Sequence, residues 1–409
     1  MLVFILVDFF YLLALPFLII FALISRIGGH PRRKDLLARL GYGEDLSHSS
    51  KRILLHAVSV GEVNTLRKLI PKLIENNYEV VVCVTTDTGI KRATELFSQT
   101  CVVTRFPFDF SFAVRRFLKR IKPTVIALVE LEVWPNFIGQ SDTLSIPVVI
   151  INGRLSERSY DRYKLAKPFL RKTFSRIAAI GMQTEEYANR VMSLGGNNVS
   201  VQGTMKWDNV DTSKTSIEGA DDLASNLGID AQKPLIVAGS TAPEEHKLFQ
   251  KVLPKGMQLL CAPRKPEWFD DAAKTLTPCN RRTSSERFET NYFLLDTIGE
   301  LDKAYSLADI VIIGRSFVPM HGSDPVPPIA LGKSTIIGPN YSDFKEMVHM
   351  FADNAGIIIC SEIDLGETIT SLFEQPELLE ESGLAGQKVI DSQQGASKKY
   401  LKLIVDNTP

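Results

Sequence analysis

Three glutamates stand where apolar runs end. Glu62 closes "LLHAVSVGEV" (54–63), and Glu130 and Glu132 close "TVIALVELEVWPN" (124–136). A carboxylate fixed at the end of a buried strand can take a proton from a hydroxyl. The same carboxylate in the first turn of a helix is an ordinary cap, because acidic groups complement the helix dipole. Gly61 fits either role by letting backbone pass closely at the turn, so cap and catalyst stand at even odds for Glu62. Glu130 and Glu132 share a face if their strand is extended; a solvated strand end is the plain alternative. Two cations add to the set. Lys206 lies in "GTMKWD" (203–208), and Arg264 in "APRKPEW" (262–268), where a guanidinium could grip a phosphate through two hydrogen bonds. "GS" at 239–240 and the glycine turn of "DTIGELDKAYSLADI" (296–310) each precede a helical pattern whose free N–H groups attract anions. Taken singly, surface ion pairs and a plain N-cap at Thr297 explain these residues equally well.

The elements that must position them alternate. Strand patterns occur at 53–58, 79–86, 124–130, 146–152 and 178–183, with amphipathic helical stretches between them. Pro71 is expected to kink the first of these helices. The pattern pauses in the polar stretch 209–234 and resumes with strands at 234–240, 256–263, 291–297, 308–316, 334–339 and 355–360. Continuous β-branched runs separated by helices predict parallel sheets covered on both faces. In such sheets ligands bind beyond the carboxyl ends of the strands. The expected fold class is therefore α/β, with two doubly wound Rossmann-like domains facing a central cleft. The expected divisions are 1–25 (membrane anchor helix), 26–208 (N-terminal domain), 209–233 (linker region) and 234–409 (C-terminal domain).

The N-terminus departs from this average. "MLVFILVDFFYLLALPFLIIFALI" (1–24) carries one charge, Asp8, and as a helix it would reach about 36 Å, enough to enter or cross a bilayer. Arg26, Arg32, Arg33, Lys34 and Arg39 follow against Asp35 alone. A cleaved signal fits poorly, since no basic region precedes the apolar run. The basic flank predicts a cytoplasmic body and attraction to anionic headgroups. The formal net charge of zero argues against a dedicated nucleic-acid binder. Five scattered cysteines with no CxxC read as reduced thiols, and no histidine pattern supports a metal site.

Together these stretches resemble one family, the 3-deoxy-D-manno-octulosonic acid (Kdo) transferases of lipopolysaccharide synthesis, which are GT-B glycosyltransferases. "HAVSVGE", "VELEVWPN", "INGRLSERSY", "MQTEEYANRVMSLG", "GTMKWD", "APRKPE", "DTIGEL" and "ALGKSTIIGPNYSDFKE" occur in the family's order across essentially the whole chain. The resemblance implies inverting transfer of Kdo from CMP-Kdo to a lipid A precursor of the lipid IVA type, with no cofactor and no metal. It places the N-terminal domain on the acceptor and the C-terminal domain on the donor. It implies location on the cytoplasmic face of the inner membrane and no nucleic-acid partner. By matched position Glu62 is the implied general base, with Glu130 and Lys206 supporting the transition state. Pro263, Arg264, Ile298, Gly299 and Glu300 match CMP-binding positions, as do Asp324, Pro325, Val326 and Pro327. The helix dipole is expected to keep Glu62 ionised near neutral pH, as a weak base helped by orientation.

The donor half departs from the family pattern. Where the family has G-G-H-N-P-L-E-P, this chain has "HGSDPVPP" (321–328), and Arg315 replaces the second glycine of the preceding turn. Ser323 stands for histidine, Asp324 for asparagine, and Pro327 for the glutamate that commonly grips a ribose. Ala242, Glu244 and Lys265 also replace family residues. Two rival readings follow: a related membrane-associated glycosyltransferase with another nucleotide-sugar donor, and a non-catalytic lipid-binding homologue. Retention of Glu62 counts against the second.

Overall fold

The computed structural model describes Asp8, Tyr11 and residues 36–409, in two compact units. The expected anchor helix at 1–25 lies otherwise outside the described residues. Among those residues no helix is long and apolar enough to cross a membrane.

The first unit is built on seven parallel strands: β1 (Arg52–Ala57), β2 (Glu79–Val84), β3 (Val102–Arg105), β4 (Val125–Val129), β5 (Val148–Gly153), β6 (Ala179–Met182) and β7 (Val199–Val201). Their order is β3-β2-β1-β4-β5-β6-β7. The central strands are fully buried because helices cover both faces. One face packs Val114, Phe117, Phe137, Phe174 and Val191 from the helices Ser111–Ile121, Pro135–Thr143, Lys167–Phe174 and Glu185–Ser193. The other packs Val63, Leu73, Ala93 and Tyr400. Pro71 does interrupt its helix, which is divided into Val60–Thr65 and Leu69–Glu75. Proline is tolerated in the first turn of the second piece, where its missing N–H is not needed.

Two residues of the apolar N-terminal run are tied to this unit. The Asp8 carboxylate accepts from the Ser111 backbone N–H at 3.0 Å and from Asn136 Nδ2 at 2.8 Å. Tyr11 donates to Asp109 at 3.2 Å. Asp109 itself accepts the N–H groups of Asn136 and Phe137 at 3.2 and 2.7 Å. Two aspartates thus cap neighbouring helices, the only charge of the apolar run being one of them.

The second unit, Val210–Gln393, repeats the plan with β8 (Leu235–Thr241), β9 (Gln258–Pro263), β10 (Asn280–Arg281), β11 (Tyr292–Leu294), β12 (Ile310–Ile313), β13 (Ser334–Ile337) and β14 (Ile358–Ile359). The order is β10-β11-β9-β8-β12-β13-β14, again all parallel.

The boundaries differ from those expected at both ends of the second domain. The stretch 209–233 is not a free linker: the helix Ala220–Leu227 buries Leu223 and Leu227 within the second unit. The last helix, Ala396–Asp406, belongs to the first unit and not to a domain 234–409. Tyr400 is buried there and donates to Gly203 O at 2.8 Å, while Asp208 accepts the N–H groups of Gly395 and Ser397 at the helix start. Charge complementarity at a helix N-terminus and a buried aromatic ring recruit the chain end.

Candidate active site

In the first sheet the strand order reverses between β1 and β4, and a ligand crevice forms beyond such a point. Glu62 follows β1 and Glu130 follows β4, so the fold brings both to the same place. Ser59 caps the helix Val60–Thr65 by accepting from the Glu62 N–H at 3.4 Å. The Glu62 carboxylate reaches back, accepting the Val58 N–H at 2.7 Å and the Ser59 hydroxyl at 3.0 Å. This is a reciprocal capping arrangement. Glu62 is therefore a cap, and its electrostatics bear on whether it could also take a proton.

Glu62 is only 7% exposed. Burial raises its pKa above the ordinary glutamate value, and the charge of Glu130 adds to the rise, while the Val58 and Ser59 hydrogen bonds oppose it. The helix dipole is expected to favour the ionised form; loss of water works against it and is the largest influence on this carboxyl. A base with a raised pKa is the stronger proton acceptor, provided it stays ionised at the working pH.

Glu130 and Glu132 do not share a strand face. β4 ends at Val129, and Glu130 takes a left-handed backbone, φ 59°. Glu130 lines a pocket of about 420 Å³, and its carboxyl is raised by burial and lowered by the charge of Arg154. Glu132 instead accepts the Trp134 indole N–H at 2.9 Å. Burial, then the charges of Glu62 and Glu130, push Glu132 to about 7 against that hydrogen bond.

The same pocket is lined by Gly61, Arg67, Arg92, Arg154 and Lys206. Lys206 is placed by Asn152, whose Oδ1 accepts the Met205 N–H at 3.0 Å. A carboxylate beside four cations suits a sugar hydroxyl carried next to an anionic group. Arg67, Arg92 and Arg154 were not singled out from sequence. Their signal was available in part, since Arg154 directly follows a strand and Arg67 lies five residues beyond Glu62 on a broken helix.

A pH expectation arises from this geometry. If ionised Glu62 is the base, kcat/KM rises with pH through its pKa, so the acid limb lies above 4.5. Glu130→Gln removes a like charge, lowers that pKa, and moves the limb to lower pH whatever happens to the absolute rate. A pH–rate profile that moves upward instead would show that Glu130 is not the charge the base feels.

In the second unit the order reverses between β8 and β12. Ser240 and Arg315, at their ends, are both left-handed, with φ 57° and 58°. Gly314 is required between them, since a Cβ there would lie 2.5 Å from Thr241 Cα. Arg264 follows β9, and its N–H bonds Thr241 O at 3.0 Å, while Pro263 ends the strand itself. The charges of Asp324 and Arg264 both act on the buried Tyr305 hydroxyl, which places them in one neighbourhood.

Arg315 and Ser323, two of the residues that depart from the family pattern, meet: Arg315 Nε donates to Ser323 Oγ at 3.1 Å. Asp324 accepts the Val326 N–H at 3.0 Å, starting the helix Val326–Ala330 in which Pro327 sits. Ile298 is exposed, and Gly299 is left-handed with open space around it. Glu300 is committed to structure. Its carboxylate holds Arg282 at 3.1 and 3.2 Å and accepts from Thr297 at 2.7 Å, and the Arg282 bond lowers its pKa. Among the described residues no cluster of His, Cys, Asp and Glu is placed to hold a metal ion.

The family described as "3-Deoxy-D-manno-octulosonic-acid transferase (kdotransferase)" matches residues 34–209, most of the first unit. A 3-deoxy-D-manno-octulosonic acid transferase of Haemophilus influenzae is 30% identical over 97% of both chains. The chain belongs to the Kdo transferase family. It is a glycosyltransferase. A second Kdo transferase, from Bordetella pertussis, is 29% identical over 72% of each chain. A glycosyltransferase from Rickettsia africae shares the fold at 10% identity and TM-score 0.59, covering 88% of this chain and 99% of its own. A UDP-GlcNAc 2-epimerase from Neisseria meningitidis does so at 14% identity and TM-score 0.58, over 87% and 100%. The architecture is thus that of GT-B glycosyltransferases, a fold that carries more than one chemistry. In this Kdo transferase Gly61, Glu130 and Lys206 line one pocket of the first unit, while Glu62, next to Gly61 in the chain, is not among the lining residues.

Proposed function

We propose that this Kdo transferase moves Kdo from CMP-Kdo, with inversion, to a lipid A precursor of the lipid IVA type, at the cytoplasmic face of the inner membrane. Kdo transfer in lipopolysaccharide synthesis follows from family membership. The acceptor assignment is carried by one observation: a pocket lined by Gly61, the residue before Glu62, and by Glu130 also takes in Arg67, Arg92, Arg154 and Lys206. A phosphorylated sugar head presents both a hydroxyl and negative charge to such a surface.

In this reading the acceptor hydroxyl attacks the anomeric carbon of Kdo while Glu62 takes its proton. The bond from that carbon to the CMP phosphate oxygen breaks, and its electron pair leaves with CMP. Glu130 faces positive charge that develops on the sugar ring, and Lys206 faces the substrates' anionic groups. CMP is held by the second unit, where Arg264 offers a guanidinium to the phosphate and Gly299 lets backbone approach it. The membrane location rests on the apolar run 1–24 and its basic flank.

Calorimetric titration of the detergent-solubilised full chain with CMP and with UDP tests the donor. Saturable CMP binding without UDP binding is expected, weakened about tenfold or more in Arg264→Ala through loss of a charge-assisted contact. UDP binding in place of CMP would transfer the assignment to another nucleotide sugar. Incubation with lipid IVA and CMP-Kdo, followed by mass analysis of the lipid, tests the acceptor.

A further inference from the structure

The first unit exposes an apolar tip that nothing in the transfer chemistry uses. The helices Glu157–Leu165 and Lys167–Phe174 meet at Ala166, and the first of them buries no residue at all. Leu165 is 87% exposed and Phe169 78%, on either side of that joint. Large apolar side chains this bare beside a well-packed core mark an interaction surface.

Their surroundings define the partner. The two helices carry Arg158, Arg162, Lys164, Lys167, Arg171 and Lys172, against Glu157 and Asp161 only. Among the described residues none of these six cations is in an ion pair. Arg171 and Lys172 line, with Pro168, a surface cavity of about 550 Å³, room enough for a headgroup. Apolar residues at the centre and basic residues around them are the pattern of an element that lies in the interface of an anionic bilayer.

A second observation points the same way. The helix Lys167–Phe174 packs against Pro135–Thr143, which packs against Ser111–Ile121. These last two are the helices capped by Asp109 and Asp8, so Asp8 and Tyr11 of the apolar N-terminal run are fastened to the same helical layer that carries the tip. Phe112, half-exposed and stacked on Phe110, extends the apolar surface beside that seat.

We propose that the joint between these two helices is a second membrane-docking element: Leu165 and Phe169 enter the interface of an anionic bilayer, and the surrounding arginines and lysines bind lipid phosphates. The proposal rests on the membrane location proposed above and adds to it. A body held at two places on one layer keeps a fixed orientation to the lipid surface, so the pocket beside Glu62 meets the sugar heads of lipid-borne acceptors without a search over all tilts.

The test uses the full chain carrying Phe169→Trp on vesicles whose acyl chains are brominated, made of phosphatidylcholine with or without phosphatidylglycerol. Flotation of the chain with the vesicles is measured in parallel. The expected result is quenching of the added indole, relative to the parent chain, on vesicles containing phosphatidylglycerol. Replacing Arg158, Arg162, Lys167 and Arg171 by Gln should lower the docking equilibrium about fivefold per residue. Flotation without quenching overturns the tip as a membrane element and leaves the N-terminal run as the anchor. Equal quenching on neutral vesicles, unaffected by the Gln substitutions, overturns the assignment of anionic lipid. Failure to float at all overturns the membrane location itself. Since Leu165 and Phe169 are outside the core, hydrogen exchange across 157–174 on the unmodified chain serves as the check that needs no variant: protection on anionic vesicles alone is expected.

Discussion

Glu62→Gln leaves a folded protein that binds CMP and transfers Kdo about 10²–10⁴-fold more slowly, the ordinary contribution of a positioned general base. The amide is close in shape to the carboxylate and keeps an oxygen for the Val58 N–H, now bonded at 2.7 Å. Its NH₂ can donate to the Ser59 hydroxyl, which at present donates to Glu62 at 3.0 Å. The cap therefore survives and only the proton acceptor is lost. Glu62→Ala separates the two roles from the other side: it removes both, so the slow transfer is joined by a stability loss of about 1 kcal/mol from the broken cap. Single-turnover transfer, CMP calorimetry and thermal unfolding on the two variants distinguish these outcomes. Transfer by Glu62→Gln at the wild-type rate would remove Glu62 from the chemistry and return it to the helix start alone.

The cap at Glu62 shows why residue type and spacing carry the reading only part of the way. The runs that became β2, β4, β5, β8 and β12 are rich in β-branched residues, and β1 holds the apolar core "ILL"; buried parallel strands favour such runs. β7 and β10 were not foreseen because "VSV" and "NR" contain no apolar run, whereas the equally short edge strand β14 lies in the run "AGIIIC". Neither was β3, whose Val102 is exposed. The last helix belongs to the first unit because Asp208 and Tyr400 hold it there, a contact between residues far apart in sequence that no local period announces. Glu62 and Glu130 were legible as candidates because each closely follows an apolar strand. Their company was not: that Arg67, Arg92, Arg154 and Lys206 share one pocket depends on which strands neighbour one another. The raised pKa of Glu62 was likewise hidden, since burial is a property of the folded chain. In the second unit the resemblance flagged Arg315 and Ser323 as separate departures, and only the structure shows that they bond each other.

Arg315, the first of these departures, sits in a turn held by one buried carboxylate, and removal of that carboxylate should be strongly damaging to the second unit. Glu245 is 1% exposed and accepts the N–H groups of Ala242 and Arg315 at 2.8 Å, Ser316 at 3.0 Å and Phe317 at 3.1 Å. Burial raises its pKa and these four bonds lower it, so the loop and the carboxylate sustain each other. Glu245→Ala leaves the four donors without an acceptor at a place where water enters poorly. Each unsatisfied buried group costs about 1–3 kcal/mol, so a total loss of about 3 kcal/mol or more is expected even if some donors find water. Against a domain stability of about 5–15 kcal/mol this is large enough to unfold the loop ahead of the rest. Arg315 and Ser240, both left-handed, have no local reason to keep that backbone once the carboxylate is gone. The expected signature is early hydrogen exchange at 314–317 and 240–242, a lower unfolding temperature, and loss of CMP binding because Arg264 is bonded to the same turn through Thr241. Glu245→Gln, which keeps an acceptor oxygen but not the charge, should fall between the parent and the alanine variant. Unchanged exchange at 314–317 in Glu245→Ala would mean that the turn is held by its neighbours and not by the carboxylate. In that case the substitutions at Arg315 and Ser323 would have to be explained by the hydrogen bond between them alone.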